Sequence, residues 1–521
     1  MMMDTMIWLI VVCSICLYMH LYNVLWVRPE RMRGKLRRQG IKGPPPSFLM
    51  GNVSEMKRIT SNQTACRSAN EAVASSPTAN YSLSIFPYFE SWRRIYGQIY
   101  MYTTGNVQNL YISDPAVLKE ISLFKSLDLG RPVYAIPIIK SLFGNGIARS
   151  NGQVWAHQRK VIAPEFFVDK VKDMVGMMVE SALTMVESAL TMVKSWEAQV
   201  EGMGGEADIR VDEDLAKFSM NTISKACFGS MHSKGKHVFE LIRSLQKAIS
   251  YTSVVARIPF LGCFPTKTNI EVWKLEREIR ESILKLVKDG SGKSDQKDLL
   301  QVIQEGAYAE QLGEETTNCY VVDNCKSIYV AGHETVASVA TWTLMLLAAF
   351  PEWQTQARDE VINIFQGHPP DADSLHKLKM VTMVIQETMR LYPPIPFTAR
   401  EALEDLNLGD IYIPKGVNLW IPITTLHRLP EIWGEDADEF KPERFAHGIY
   451  GACKFPQAYI PFGIGPHICL GQKFAMVELK ILMSLLLSKF SFSISPKYQH
   501  SPNFKLTLQA KYGLNLIVKK V

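Results

Sequence analysis

The sequence predicts a mainly α-helical body with small β-sheets, preceded by one transmembrane helix. Three observations carry that reading. No Asp, Glu, Lys or Arg occurs from Thr5 to Val27. Most of the chain beyond Asp114 repeats its apolar residues at helical spacing, and strand-like alternation is confined to a few short stretches.

The apolar N-terminal run covers 23 residues, roughly 34 Å as a helix, enough to span a bilayer. A secretory signal peptide wants positive charge before its apolar core and a small-residue cleavage site after it. Here Asp4 stands before and a basic run follows. The positive-inside rule therefore puts Arg28 onward in the cytosol. Residues 1–27 are read as a membrane anchor, 28–50 as a basic and proline-rich linker and 51–521 as the functional domain. Within the linker, Lys42-Gly43-Pro44-Pro45-Pro46 reads as a stiff extended spacer. A cytosolic body leaves the sequons at Asn52, Asn62 and Asn80 without glycan.

The net charge of +6 does not point to nucleic acid. Arg28, Arg31, Arg33, Lys35, Arg37, Arg38 and Lys42 against Glu30 account for all of it, leaving the body neutral and without a phosphate-tracking surface. The nine cysteines are scattered, odd in number and show no C-x-x-C spacing. That usage suits a reducing compartment.

Along the body, 99–113 reads as a hairpin around Thr104-Gly105-Asn106, and Asp114-Pro115 starts a helix. Helical spacing follows over 153–161, 169–200, 212–228, 236–255, 270–288, 296–305, 316–349, 353–365 and 375–391. Strand signals return over 407–421 and 505–518. The heptapeptide VESALTM at 179–185 recurs at 186–192. Seven residues rotate a helix face by only about 20°, so this reads as two added turns.

Pro461 to Gly471 is a glycine-rich turn ending in Cys469 at the mouth of an apolar helix. A cysteine there meets free backbone N–H groups that favour a thiolate, and glycines let backbone approach a flat cofactor. On residue types alone, a zinc site from Cys453, His447, His467 and Cys469 is the rival. Glu334 and Thr335, inside an apolar helical stretch, need a bonding partner or a function. Glu387 and Arg390 share a helical face. Trp155 and Arg159, at i and i+4, offer two donors suited to a carboxylate.

The pattern Phe462-x-x-Gly465-x-x-x-Cys469-x-Gly471 resembles the haem-binding loop of the cytochrome P-450 monooxygenases. Ala331-Gly332-His333-Glu334-Thr335, Glu387-x-x-Arg390 and Lys441-Pro442-Glu443-Arg444-Phe445 resemble further motifs of that family in the same order. The resemblance implies the cytochrome P-450 fold, with haem b (iron protoporphyrin IX) ligated by Cys469 and framed by Phe462 and Gly463. It assigns Trp155, Arg159 and Arg400 to the haem propionates, with His467 where relatives mostly place arginine. Glu334 and Thr335 would assist proton delivery on the oxygen side, where the matching glycine leaves room for dioxygen. Glu387, Arg390 and Arg444 would form a structural triad. Dioxygen and NADPH-derived electrons are the implied co-substrates. The electrons would come from NADPH-cytochrome P-450 reductase, with Lys160 and Lys473 as candidate contacts.

The basic segment before Pro44, Ala226-Cys227-Phe228-Gly229-Ser230 and Leu426-His427-Arg428 resemble plant microsomal members that oxidise hormones and terpenoids. The likeness is greatest to the branch acting on gibberellins and related ent-kaurane diterpenoids. It implies an endoplasmic reticulum membrane protein with a cytosolic catalytic domain, an apolar substrate and oxygen insertion into a C–H or C=C bond. A triterpenoid or other hormone substrate, or a haem-thiolate isomerase or dehydratase, are the alternatives. Substrate contacts are expected from 128–146, the helix before Gly332 and Ile395 to Thr398. Arg131 or Lys140 is expected to pair with a substrate carboxylate.

Overall fold

A 36-residue helix, Glu314–Ala349, is buried on all sides over its second half, from Val336 and Ser338 through Ala348. Apolar residues right round such a helix leave it no solvent face. The computed structural model describes residues 2–67, 76–132, 137–166, 205–228, 232–250, 265–290, 299–309, 313–368 and 370–521. The expected helix over 169–200, with the VESALTM repeat, lies outside the described residues.

The helix Asp212–Phe228 lies along this central helix. Gly332 makes the approach possible: a Cβ there would stand 2.7 Å from Ile223 Cδ1. The helix Gln472–Leu487, which follows the cysteine loop, packs on the same central helix with Ile481 and Met483 fully buried.

Five strands form the larger sheet, in the order Ile99–Thr104, Val107–Ile112, Asn418–Ile421, Thr398–Ala402 and Leu129–Gly130. The expected hairpin is its first pair, turning at Gly105 with φ of 64°. A three-stranded sheet puts Asn515–Lys520 between Glu206–Arg210 and Phe490–Ile494. The stretches 407–421 and 505–518 are broken into shorter strands by turns at Gly409 and Gly513, both left-handed.

One expected helix is divided. Within 375–391, a short helix ends at Leu375 and a new one starts at Lys379. The second is capped from outside: Glu360 accepts from the backbone N–H of Lys379, Met380 and Val381 at 2.7, 2.8 and 3.0 Å. A carboxylate is favourable at this position because helix-start N–H groups have no intrahelical partner.

At the N-terminus, Thr5–Arg37 is the one helix among the described residues that is long and apolar enough to cross a membrane alone. The basic first part of the expected linker continues this helix, and Lys42-Gly43-Pro44-Pro45-Pro46, expected as the extended spacer, lies outside any helix or strand. Arg28–Arg37 is helical, and its Leu36 is 1 % exposed against the sheet core. Arg33 is buried as well, paired with Glu30 and reaching Gln108 at 3.4 Å. Met101 then donates its backbone N–H to Lys42 at 2.9 Å, fastening the segment to the first strand.

Candidate functional site

Gly463 and Gly465 turn the cysteine loop at φ of 83° and 69°. A Cβ on Gly465 would meet the Ile121 carbonyl oxygen at 2.9 Å, so the turn needs glycine for space as well as conformation. Cys469 closes it by donating its N–H to Phe462 O at 2.9 Å. The thiol is accessible but hemmed in by protein. The loss of water around it raises its pKa, against the opposing pull of the Gly471 N–H, Arg131 and Arg159. The helix-end effect expected from the sequence is thus present and smaller than desolvation.

Donors gather beside this cysteine. Arg159 Nη1 donates to Ile468 O at 3.0 Å, and its guanidinium lies 5.5 Å from the Trp155 ring centre. The Trp155 and His467 rings are 4.0 Å apart. Arg400 is buried and donates to Ile464 O at 3.2 Å. Burial lowers Arg400 to about 9, with neighbouring Arg131 adding to the effect. Arg131 is itself lowered to about 10 by burial and by Arg159. His467 is lowered to about 3 by burial and by the same three arginines.

Arg131 Nε, Trp155 Nε1 and His467 Nδ1 are buried without a hydrogen-bond partner. The charges these groups feel are each other's and that of Cys469. A buried set of donors that repel one another lacks an anion. The two propionates of haem supply that chemistry, so the residues present fit the group.

Arg131, expected at a substrate carboxylate, belongs instead to the cationic group around Cys469. The turn holding Leu129–Gly130 on the sheet carries it there, and Asn151 Oδ1 accepts its N–H at 2.7 Å. Lys140 is exposed, and so are Lys160 and Lys473. No group of three His, Cys, Asp or Glu side chains gathers among the described residues, so the rival zinc set is not assembled.

On the central helix, Thr335 donates to Ala331 O at 2.7 Å. Ala331 is exposed despite its place mid-helix. The small residue on the Thr335 face is therefore Ala331, four residues earlier, whereas Gly332 serves the contact with Ile223. Glu334 points to the C-terminal hairpin of Pro502–Phe504 and Leu508–Ala510 and accepts from Gln509 at 2.9 Å and Thr507 at 3.4 Å. His333 Nε2 is 3.3 Å from its other oxygen. Burial raises the Glu334 pKa, but these bonds outweigh it and hold the carboxyl below its usual value. The same hairpin is latched to the helix by Ser338 and Trp342, both donating to Leu508 O, at 2.6 and 3.0 Å.

Glu387 and Arg390 form a two-bond fork of 2.6 and 2.7 Å with neither side chain exposed. The remaining Arg390 donors reach the carbonyls of His427, Ala437 and Glu439. Arg444 lies 3.5 Å from Glu387 and donates to the carbonyls of Trp433 and Asp436. His427 extends this network. Its Nδ1 meets Arg390 O at 3.1 Å, and its Nε2 accepts the Ile460 N–H at 3.0 Å, one residue before the cysteine loop.

The profile described as Cytochrome P450 matches residues 75–517. The chain belongs to the cytochrome P450 family. This cytochrome P450 is 50 % identical to Cytochrome P450 714C2 of Oryza sativa subsp. japonica, over 98 % of this chain and 97 % of that protein. It is 48 % identical to Cytochrome P450 714A2 of Arabidopsis thaliana, over 98 % and 97 %. To Cytochrome P450 714B3 of Zea mays it is 44 % identical, over 98 % and 94 %. It is therefore a haem-dependent monooxygenase of plant type that uses dioxygen and NADPH-derived electrons.

Proposed function

We propose that this cytochrome P450 is anchored in the endoplasmic reticulum membrane, faces the cytosol and hydroxylates or epoxidises a gibberellin or related ent-kaurane diterpenoid. NADPH-cytochrome P-450 reductase is the proposed electron donor, with exposed Lys160 and Lys473 as contacts. The observation that carries the site assignment is the set of unpartnered buried donors beside Cys469. The substrate assignment rests on the likeness of the N-terminal and helical motifs to the gibberellin-oxidising branch.

When bound, haem with a thiolate ligand supplies the activation of dioxygen. The chain's residues do the rest. Cys469 would ligate the haem iron, with Phe462 and Gly463 bordering it. Arg131, Trp155, Arg159, Arg400 and His467 would hold the propionates. Ala331 keeps a shallow face open beside Thr335, whose hydroxyl holds a proton at Oγ1, and Glu334 holds or releases one at the hairpin side. Glu387, Arg390 and Arg444 fix the segment that leads to the cysteine loop.

Microsomes containing the chain and the reductase, fed a panel of diterpenoid acids and read by mass spectrometry, test the substrate class. NADPH-dependent addition of one oxygen atom to a gibberellin or ent-kaurane is expected. Oxidation of triterpenoids alone, or turnover without NADPH, overturns the reading.

A further inference from the structure

His333 is buried on the central helix, where its ring is stacked 4.6 Å from that of Tyr329. Tyr329 is in turn stacked 3.8 Å from Phe239 of the helix His232–Ser250. Three rings in a pile leave the imidazole little freedom to turn. Its two nitrogens therefore keep fixed partners: Nδ1 lies 3.0 Å from Tyr329 O, and Nε2 lies 3.3 Å from Glu334 Oε1.

A carbonyl oxygen can only accept, so Nδ1 carries a hydrogen. In a neutral ring Nε2 is then bare, and it would meet a carboxylate oxygen lone pair to lone pair. A proton between Nε2 and Oε1 removes that conflict. The state of Glu334 agrees: burial raises its carboxyl, and the His333 bond is first among the effects that outweigh burial.

The pair borders a cavity of about 280 Å³ between the central helix, the helix Asp212–Phe228 and the C-terminal hairpin. Its edge carries the exposed side chains of Arg243, Lys217, Lys505 and Lys511, so solvent enters. Among the described residues, the cavity's other carboxylates, Asp212 and Glu213, are taken up by Arg210 at 3.3 and 3.5 Å. Glu334 is thus the acid that faces the ring. Neither Ala331 nor Thr335 lines this cavity. At about 100° per residue, His333 and Thr335 point to opposite sides of the helix, and Glu334 lies between them.

We infer that His333 is a proton-relay residue acting through Glu334, taking protons from the cavity behind the central helix and handing them to the acid beside Thr335. In one passage Nε2 gives its proton to Glu334 Oε1, Nδ1 keeps its own, and solvent in the cavity replaces the one given. Glu334 then carries the proton toward Thr335 Oγ1, and no electron moves. The role rests on the haem-site reading above, in which Thr335 faces the oxygen side.

The shared proton is read in the full-length, haem-loaded chain, reduced and carbon monoxide-bound, by nitrogen NMR after histidine labelling at neutral pH. One ring should carry hydrogen on both nitrogens. Its signal should vanish in His333→Gln and lose the Nε2 hydrogen in Glu334→Gln. A bare Nε2 on His333 in wild type overturns the assignment.

Turnover with the reductase, NADPH and a gibberellin tests the relay. His333→Phe keeps the ring stack without nitrogens, and His333→Gln keeps a donor for Glu334 without a transferable proton. Both should release roughly tenfold more peroxide per NADPH and show a larger solvent deuterium effect on product formation. His333→Gln behaving as wild type, whatever His333→Phe does, leaves His333 a structural donor only and overturns the relay. If wild type itself lacks the thiolate-type carbon monoxide band, the haem-site reading has failed, and the nitrogen spectrum still decides the shared proton.

Discussion

Gln509 donates to Glu334 at 2.9 Å, so the acid beside Thr335 is held from the C-terminal hairpin as well as by His333 of its own helix. Removing that donor frees the carboxyl and weakens one of the bonds that keep it ionised. Gln509→Leu is expected to raise the share of NADPH consumed without product by roughly tenfold, from ~1.4 kcal/mol of lost charge-assisted bonding. Peroxide release and product formed per NADPH measure it, with substrate binding unchanged in a spectral titration.

Breaking the buried fork is expected to be severe. Arg390→Ala leaves Glu387 charged with only the backbone N–H of Lys441 and the more distant Arg444 beside it. The loss is about 3–5 kcal/mol. Denaturant unfolding should show it, together with haem-free protein on purification.

Arg400→Ala removes one buried cation from the donor set and should loosen haem by roughly 10–100-fold, from about 1.5–3 kcal/mol for a charge-assisted bond. The rate of haem transfer to apomyoglobin gives the number. Lys140→Ala, at an exposed position, should leave that rate unchanged.

His427 supplies a pH dependence. Burial, then the neighbouring Arg390, lowers it to about 3, and its Nε2 must stay unprotonated to accept from Ile460. The unfolded chain takes up a proton near pH 6.5 that the fold refuses, so stability is full above that value and falls as pH drops toward about 3. Half-buried His500, lowered to about 4, adds to the same slope. Melting curves from about pH 7 to 4 should show the fall, and His427→Gln should flatten part of it.

Glycan mapping tests the proposed topology through one residue. Asn52 is 1 % exposed, with Oδ1 accepting from Thr103 N at 2.8 Å, so its amide is unavailable in the folded chain in any compartment. Asn62 is exposed on a helix. No endoglycosidase shift is expected, and a shift lost in Asn62→Gln would place the body in the lumen.

The most legible parts were those whose chemistry is local. The hairpin from Ile99, the helix Asp212–Phe228 and the turn before Cys469 carry their spacing and glycines in consecutive residues. Long-range relations were not legible. The break before Lys379 depends on Glu360, and the place of Arg131 depends on a sheet pairing with Glu401. A lone arginine in an apolar loop was visible, but its neighbours were not.

The burial of Leu36 makes the proposed membrane anchor a handle and not a tether. Because the helix passes into a segment packed on the first two strands, a tilt of the proposed anchor would tilt the sheet with it. The angle at which the body presents itself to lipid-dissolved molecules is then set by side-chain packing. A shortened form meant to be soluble should keep the chain from Arg28 onward, so that the seat of Leu36 stays filled.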